Sequence, residues 1–320
     1  FSRAIFWCHN SGLSEPHAIP TYIIGTASKI IFTSACSFGA PNLKEKIKNN
    51  PKKFAVVHSV GDLTNFQILG RRKVELNAIS KRGLFVGTVS YSKIHPETAN
   101  IFASLSKNGF SISVVGGPDH LKLQHDVREL GGDISIFGEV ENVEKFYQDA
   151  DFFFYPLRPS HFGTGEQVIL EAMAAGLLVI VLDNPAENTI VREGVTGLIA
   201  SSARNYVNKV RDILEDQKRH QNLVSRAIQD IEVRFKHTKT ARQMIEILEQ
   251  EIRTKKYHLY FRNQSTSLPF FRSEVEQLYN TELDFITKAF ITDAGMQFLD
   301  GPAPNLGNYG NFFPNPTIGS

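Results

Sequence analysis

Between residues 84 and 200 the chain alternates short, almost wholly apolar runs with stretches whose apolar positions recur at helical spacing. The runs predict strands at 84–87, 111–115, 134–137, 152–155, 178–182 and 197–199. A strand with one wet face alternates apolar and polar residues; a run apolar throughout is covered on both faces, as in parallel sheets. Helical spacing separates several of these runs, at 96–107, 119–130 and 167–175. Asp119 is of the residue type that caps a helix start, and Gly131-Gly132 is a stop signal. Repeated β-α units of this kind predict an α/β fold with a doubly wound parallel sheet, Rossmann-like in type.

The flanks read differently. Strands are expected at 4–7, 29–33 and 54–57, too few to close a domain of this type. They read as the end of an incomplete second Rossmann-like domain that begins before Phe1. After residue 200 the patterns are helical, ending in a long helix at 238–253. From 258 onward aromatics and prolines rise and the rhythm stops; one more helix is expected at 275–290 and an irregular tail from Gly301. The expected organisation is a domain remnant and linker at 1–75, a ligand-binding Rossmann-like domain at 76–255, and a helical and irregular C-terminal segment at 256–320 with no assigned role.

Charge and cysteine usage remove several function classes. A formal net charge of +2 gives no nucleic-acid footprint. The short basic runs Arg71-Arg72-Lys73 and Arg253-Thr254-Lys255-Lys256 read as solvated surface, with peripheral contact to an anionic inner membrane face as the alternative. Cys8 and Cys36 form no CxxC and have no metal-type spacing with histidine, which speaks against a disulfide scaffold or zinc site and fits a reducing cytosol. No apolar run approaches the ~18 residues needed to span a bilayer, and the start is not a signal peptide. A cytoplasmic protein, at most peripheral to the membrane, is expected.

In such a sheet ligands bind beyond the carboxyl ends of the strands, where strand order reverses. The first run is followed by Gly87, Thr88 and, six residues after the glycine, Lys93: a turn that lets backbone approach a ligand, and a cation for a phosphate. The next two are followed by Gly116-Gly117-Pro118 and Gly138-Glu139-Val140, the fourth by Pro156-Leu157-Arg158 and then by 161–166. Gly163-Thr164-Gly165 stands just ahead of a helix, whose free amides and dipole favour an anion such as a diphosphate. The same glycines also suit a plain helix-entry turn, and Val168 at the third position leaves GxGxxG incomplete. Glu171 interrupts an apolar helix and shares a face with Thr164 and Gln167. It is either a structural carboxylate held by an arginine or backbone amides, or an acceptor for a ligand diol such as ribose hydroxyls. Asp149-Ala150-Asp151 spells DxD, but it falls where a helix ends and a strand begins, so no metal role is assigned. No GxSxG elbow anchors hydrolase chemistry.

Several segments resemble the retaining GT-B glycosyltransferases of group 4. Phe85-Val86-Gly87-Thr88 through Lys93 is similar to the family's FVGR…K segment, and Ser113 to Gly117 to its second-strand turn. Ile136 to Val140 resembles FxGxV, and Ala150-Asp151 through Pro156 the ADxxxxPS passage, with Leu157 for the serine. Glu171-Ala172-Met173-Ala174-Ala175-Gly176 with Val179-Ile180 is close to EAMAxGxPVV, with Leu178 for the proline. Val60 to Phe66 resembles the interdomain NGVDxxxF linker, and His9-Asn10 a histidine segment on the acceptor side. Two departures bear on the donor. Thr88 replaces the phosphate-contacting arginine, and Gly163 replaces the first glutamate of E-x7-E; Glu166 is three residues on, on a different helix face from Glu171.

The resemblance implies sugar transfer from a nucleoside-diphosphate sugar to a glycan, lipid or other acceptor with retained configuration, needing no metal and no further cofactor. Lys93 and the amides of Gly163 to Gly165 would stabilise the departing diphosphate, and Glu171 would hold the ribose. Gly138 to Val140 would border the base, and Gly87, Thr88, Gly116 and Glu166 complete the donor positions. His9 would lie near the acceptor or be structural. A nucleotide-sugar epimerase on the same fold and a non-catalytic sugar-nucleotide-binding or scaffold module are the competing readings.

Overall fold

Two separate parallel sheets form from the apolar runs. The first holds β1 (Ile5–Cys8), β2 (Lys29–Phe32) and β3 (Phe54–Val56), side by side in chain order, with helices α1 (Thr21–Thr26) and α2 (Lys44–Asn49) in the connections. Helix α3 (Thr64–Leu76) then leads to the second sheet. Its strands are β4 (Arg82–Val86), β5 (Ser111–Val115), β6 (Ser135–Ile136), β7 (Phe152–Tyr155), β8 (Leu178–Leu182) and β9 (Leu198–Ala200). Between them run α4 (Thr98–Lys107), α5 (His120–Glu129), α6 (Glu144–Asp149), α7 (Gln167–Ala174) and α8 (Glu187–Ile190); α9 (Ala203–Leu214), α10 (Gln217–Arg234) and α11 (His237–Arg253) follow. The computed structural model describes residues 4–13, 17–76, 79–159, 161–163 and 167–253, all within one compact unit. The expected helix at 275–290 and the tail from Gly301 lie outside the described residues.

The second sheet has the order β6-β5-β4-β7-β8-β9, every pair parallel. The chain therefore builds outward from β4 in one direction, returns to lay β7 on its other side, and builds outward again. That reversal between β4 and β7 is the switch point of a doubly wound sheet. The four residues of β7 are fully buried and β8 is at most 5% exposed, which is why both read as unbroken apolar runs. Phe153 and Tyr155 stack on each other, as do Phe152 and Phe154. Aromatic neighbours from helices complete both layers: Tyr147 of α6 against Phe153, Tyr206 of α9 against Phe154.

Three local differences from the sequence expectation have steric or hydrogen-bonding causes. Strand β4 begins at Arg82, two residues early, because Gly83 leaves room for the Phe154 ring; a Cβ there would lie 2.2 Å from that ring. Asp119 stands at the N-cap of α5 but does not cap it; its carboxylate accepts the Tyr91 amide at 3.1 Å, tying the β4 loop to the helix start. The stop at Gly131 is as expected, with φ +72°. The apolar block ending α7 fits against α3: Ala172 to Ala175 are fully buried, and Gly70 of α3 crosses so closely that a Cβ would lie 2.2 Å from the Ala174 carbonyl oxygen.

Candidate functional site

The carboxyl ends of β4 and β7 open the crevice that the switch point creates. Gly87 follows β4 with φ +140°, and a Cβ at that position would meet the Tyr155 hydroxyl at 3.3 Å. Lys93 is 9% exposed, its ammonium 5.7 Å from the centroid of the same tyrosine ring. Thr88 is exposed beside them. The two loops are stitched together by backbone: Arg158 N–H donates to Lys93 O at 3.0 Å and His95 N–H to Pro156 O at 2.9 Å. This brings Arg158, which the sequence reading named after the fourth strand without giving it a role, next to Lys93. Its Nε is buried and has no hydrogen-bond partner among the described residues. A half-exposed guanidinium with an unsatisfied inner nitrogen is suited to receive an anion.

The glycine turns after β5 and β6 join the same end of the sheet. Gly116 N–H donates to Gly138 O at 2.5 Å. A Cβ on Gly116 would lie 1.9 Å from the Gly87 carbonyl oxygen, so turn-to-turn packing already accounts for this glycine. Gly138 has φ +61° and open space on its Cα side apart from the His120 ring at 3.6 Å. Val140 is half-buried and packs on the core edge.

Among the described residues, Glu171 is held by neither an arginine nor backbone amides. Tyr147, wholly buried on α6, donates its hydroxyl to the carboxylate at 2.8 Å, and Gln167 one turn earlier on α7 adds a second side-chain bond. Gln167 in turn accepts the Gly61 amide at 3.0 Å, connecting the linker after β3 to the carboxylate. Burial pushes the Glu171 carboxyl up from its ordinary value, against the lowering effect of those two bonds. A carboxylate has about four acceptor positions, so two filled by Tyr147 and Gln167 leave room for a diol.

Gly163 is placed at the mouth of α7, but its N–H is already donated to His161 Nδ1 at 3.0 Å and is not free for an anion. Thr164, Gly165 and Glu166 lie outside the described residues. His9 directly follows β1, exposed, its ring 4.6 Å from that of Trp7. The loop after β1 reaches across to the second sheet, where Ser11 N–H donates to Phe162 O at 2.9 Å. The carboxyl ends of the first sheet thus meet the loop between β7 and α7. Asp151, the second carboxylate of DxD, sits at the opposite end of the second sheet, accepting from Ser80 and lying 3.6 Å from Arg82 Nε.

His161 and Glu187 are the other residues that sequence reasoning missed. They form a buried pair 26 positions apart, with no local pattern to announce it.

Solved structures share this architecture. The crystal structure of Anabaena Alr3699/HepE in complex with UDP and glucose superposes with a TM-score of 0.62 at 17% identity, over 78% of this chain and 72% of that one. A glycosyltransferase from Rickettsia africae ESF-5 gives 0.59 at 17% identity, over 78% and 71%. Sucrose-phosphate synthase from Thermosynechococcus elongatus gives 0.59 at 20% identity, over 77% and 67%. No curated protein sequence matches the chain. At these identities the likeness concerns the fold: two Rossmann-like parallel sheets of the GT-B kind. Residues 70–230, half of the chain and all of the second sheet with its switch point, match the family model of glycosyl transferases group 1, and the chain belongs to that family.

Proposed function

We propose that the chain is a retaining GT-B glycosyltransferase of group 4 that uses a nucleoside-diphosphate sugar, with a uridine nucleotide the first candidate. The observation that carries this reading is the meeting of Lys93 and Arg158 at the switch point, across from Glu171 on the helix that starts beside it. The solved HepE structures hold UDP, UDP with glucose, and UDP-glucose, and that ligand class suits a cleft of this chemistry.

In the reaction the bond between the anomeric carbon and the diphosphate oxygen breaks, and its electron pair leaves with the diphosphate. The acceptor oxygen bonds to the same face of that carbon, and its proton leaves with the departing phosphate. Negative charge develops on the leaving oxygen, where preorganised cations lower the barrier most. Lys93 and Arg158 fill that role, which makes a metal ion unnecessary for charge neutralisation. Glu171 accepts from the ribose hydroxyls through the acceptor positions that Tyr147 and Gln167 leave open. The ordered glycines Gly87 and Gly138 let the backbone approach the diphosphate and the base. The acceptor, glycan or lipid, enters from the first sheet, where His9 stands.

The test is a calorimetric titration with UDP, GDP and ADP, on the wild type and on Glu171→Ala. Binding of one nucleotide, lost in the variant, supports the donor site and identifies the base. Absence of binding by all three removes this reading and leaves a non-catalytic module. A product formed from donor alone, as an epimer, redirects the reading to an epimerase on the same fold.

A further inference from the structure

Residues 161–163, between β7 and α7, are each held from a different direction. Phe162 O accepts the Ser11 N–H, and the Phe162 ring lies 4.8 Å from that of His17. Gly163 N–H donates to His161 Nδ1 at 3.0 Å. On the far side of the imidazole, Nε2 lies 2.9 Å and 3.1 Å from the two Glu187 oxygens, only the longer contact being aligned as a hydrogen bond. A ring nitrogen that accepts a backbone N–H carries no proton. The ring is therefore neutral, with its proton on Nε2, and donates to Glu187.

Glu187 is fully buried, and its Oε1 has no hydrogen-bond partner among the described residues. A carboxylate so far from water is costly with a single partner, and stability alone would favour an apolar residue of similar volume. It is also firmly placed. Arg234 of α10, paired with Asp230 at 2.8 Å, donates to the Thr189 and Ile190 carbonyls, and Ser34 in the turn after β2 meets the Thr189 hydroxyl at 3.0 Å.

We infer that Glu187 is a positioning residue for the donor site: it holds His161 in the Nε2–H tautomer, which draws the Gly163 amide inward and fixes residues 161–163 beside the crevice. In the other tautomer Nδ1–H and Gly163 N–H would face each other, two donors head to head, and the turn would have to open. Both side chains are buried and act through the Gly163 backbone. The inference rests on the donor-site reading above.

Two readouts test it on the intact chain: the histidine tautomer by two-bond ¹⁵N–¹H NMR, and UDP affinity by calorimetry. Wild-type His161 is expected with its proton on Nε2. Glu187→Gln keeps an acceptor oxygen, so it retains the tautomer and stays within about threefold in affinity. Glu187→Leu fills the volume without an acceptor; it loses the tautomer preference and weakens UDP by about tenfold or more. Rescue separates positioning from mere stability. An asparagine at 161 accepts the amide two residues on without any outside partner, so His161→Asn restores UDP affinity in the Glu187→Leu background. A folded Glu187→Leu that binds UDP like the wild type overturns the inference, as does a wild-type His161 protonated on Nδ1. A wild type that binds none of UDP, GDP or ADP overturns the donor-site reading and this inference with it.

Discussion

Tyr147 and Glu171 come from different helices, 24 residues apart, and meet in a 2.8 Å hydrogen bond under the mouth of the crevice. The tyrosine is fully buried, and burial together with the adjacent carboxylate pushes its hydroxyl well above the ordinary range, so it acts as a fixed donor. The glutamate is half-buried and its carboxyl is raised by burial. One partner is locked, and the other keeps lone pairs for something outside.

That arrangement makes stability and binding respond oppositely to Glu171→Gln. A raised carboxyl binds its proton more tightly folded than unfolded. Its contribution is fullest below the ordinary value of 4.5 and is lost as pH rises from there through the raised folded value. At neutral pH the charge is a cost, which Gln removes while still accepting from Tyr147. Glu171→Gln is therefore expected to melt at or above the wild type at pH 7 and at or below it at pH 4, with UDP affinity down by about tenfold or more. Melting curves at the two pH values and one titration check this. A variant less stable at pH 7 with unchanged UDP affinity makes Glu171 a structural residue.

Lys93 and Arg158 are expected to read the diphosphate and not the nucleoside. Arg158→Ala should weaken UDP by about tenfold, in the range of one charge-assisted hydrogen bond, and leave uridine binding unchanged. Raising salt should narrow the gap between wild type and variant, because the part-exposed guanidinium is screened. Equal losses for UDP and uridine would place Arg158 in the packing of the β7 loop instead.

The sheet was legible in the sequence because its strands are covered on both faces: an unbroken apolar run as short as 152–155, set between helical stretches, suits a buried strand. Lys93 and Gly87 were found by following each strand past its carboxyl end, a rule of topology. Glu171 was found as a charge in an apolar helix, but its partner was not, since nothing in residues 144–149 marks Tyr147 as facing α7. His161 with Glu187, and Arg158 beside Lys93, were missed for the same reason. Their contacts arise between loops distant in the sequence, which periodicity does not encode. The opposite error occurred at Gly163, where a glycine ahead of a helix suggests a free amide and a histidine two residues earlier had already taken it.

His220 predicts an acid weakness away from the site. It lies on α10 edge-on to Phe152, 5% exposed, and neither ring nitrogen has a partner among the described residues. Burial lowers it from 6.5 to about 4, so the unfolded chain takes up a proton the folded one refuses. Stability is expected to fall as pH drops from 6.5 to about 4, by on the order of 3 kcal/mol at most from this group. His220→Phe should flatten that part of the profile in denaturant titrations at pH 7, 5.5 and 4.5. An unchanged slope in the variant would assign the acid loss to other groups.

Gly70→Ala sets helix propensity against packing. Inside a helix, alanine is favoured over glycine by about 1 kcal/mol. Here, however, the new Cβ would lie 2.2 Å from the Ala174 carbonyl oxygen and 3.1 Å from the Gly176 nitrogen, both backbone atoms with nowhere to go. Helix α3 must therefore lift from α7. It carries Phe66, whose ring lies edge-on to Tyr147 at 5.1 Å, and Lys73, which donates to the Tyr147 and Ala150 carbonyls. Lifting α3 thus loosens the tyrosine that holds Glu171. Overpacking of this kind typically costs about 1–3 kcal/mol, more than propensity returns. The variant is expected to melt lower and to bind UDP more weakly, both effects travelling through Tyr147. A Gly70→Ala protein that melts higher, as propensity alone predicts, would show that α3 moves away without disturbing α6.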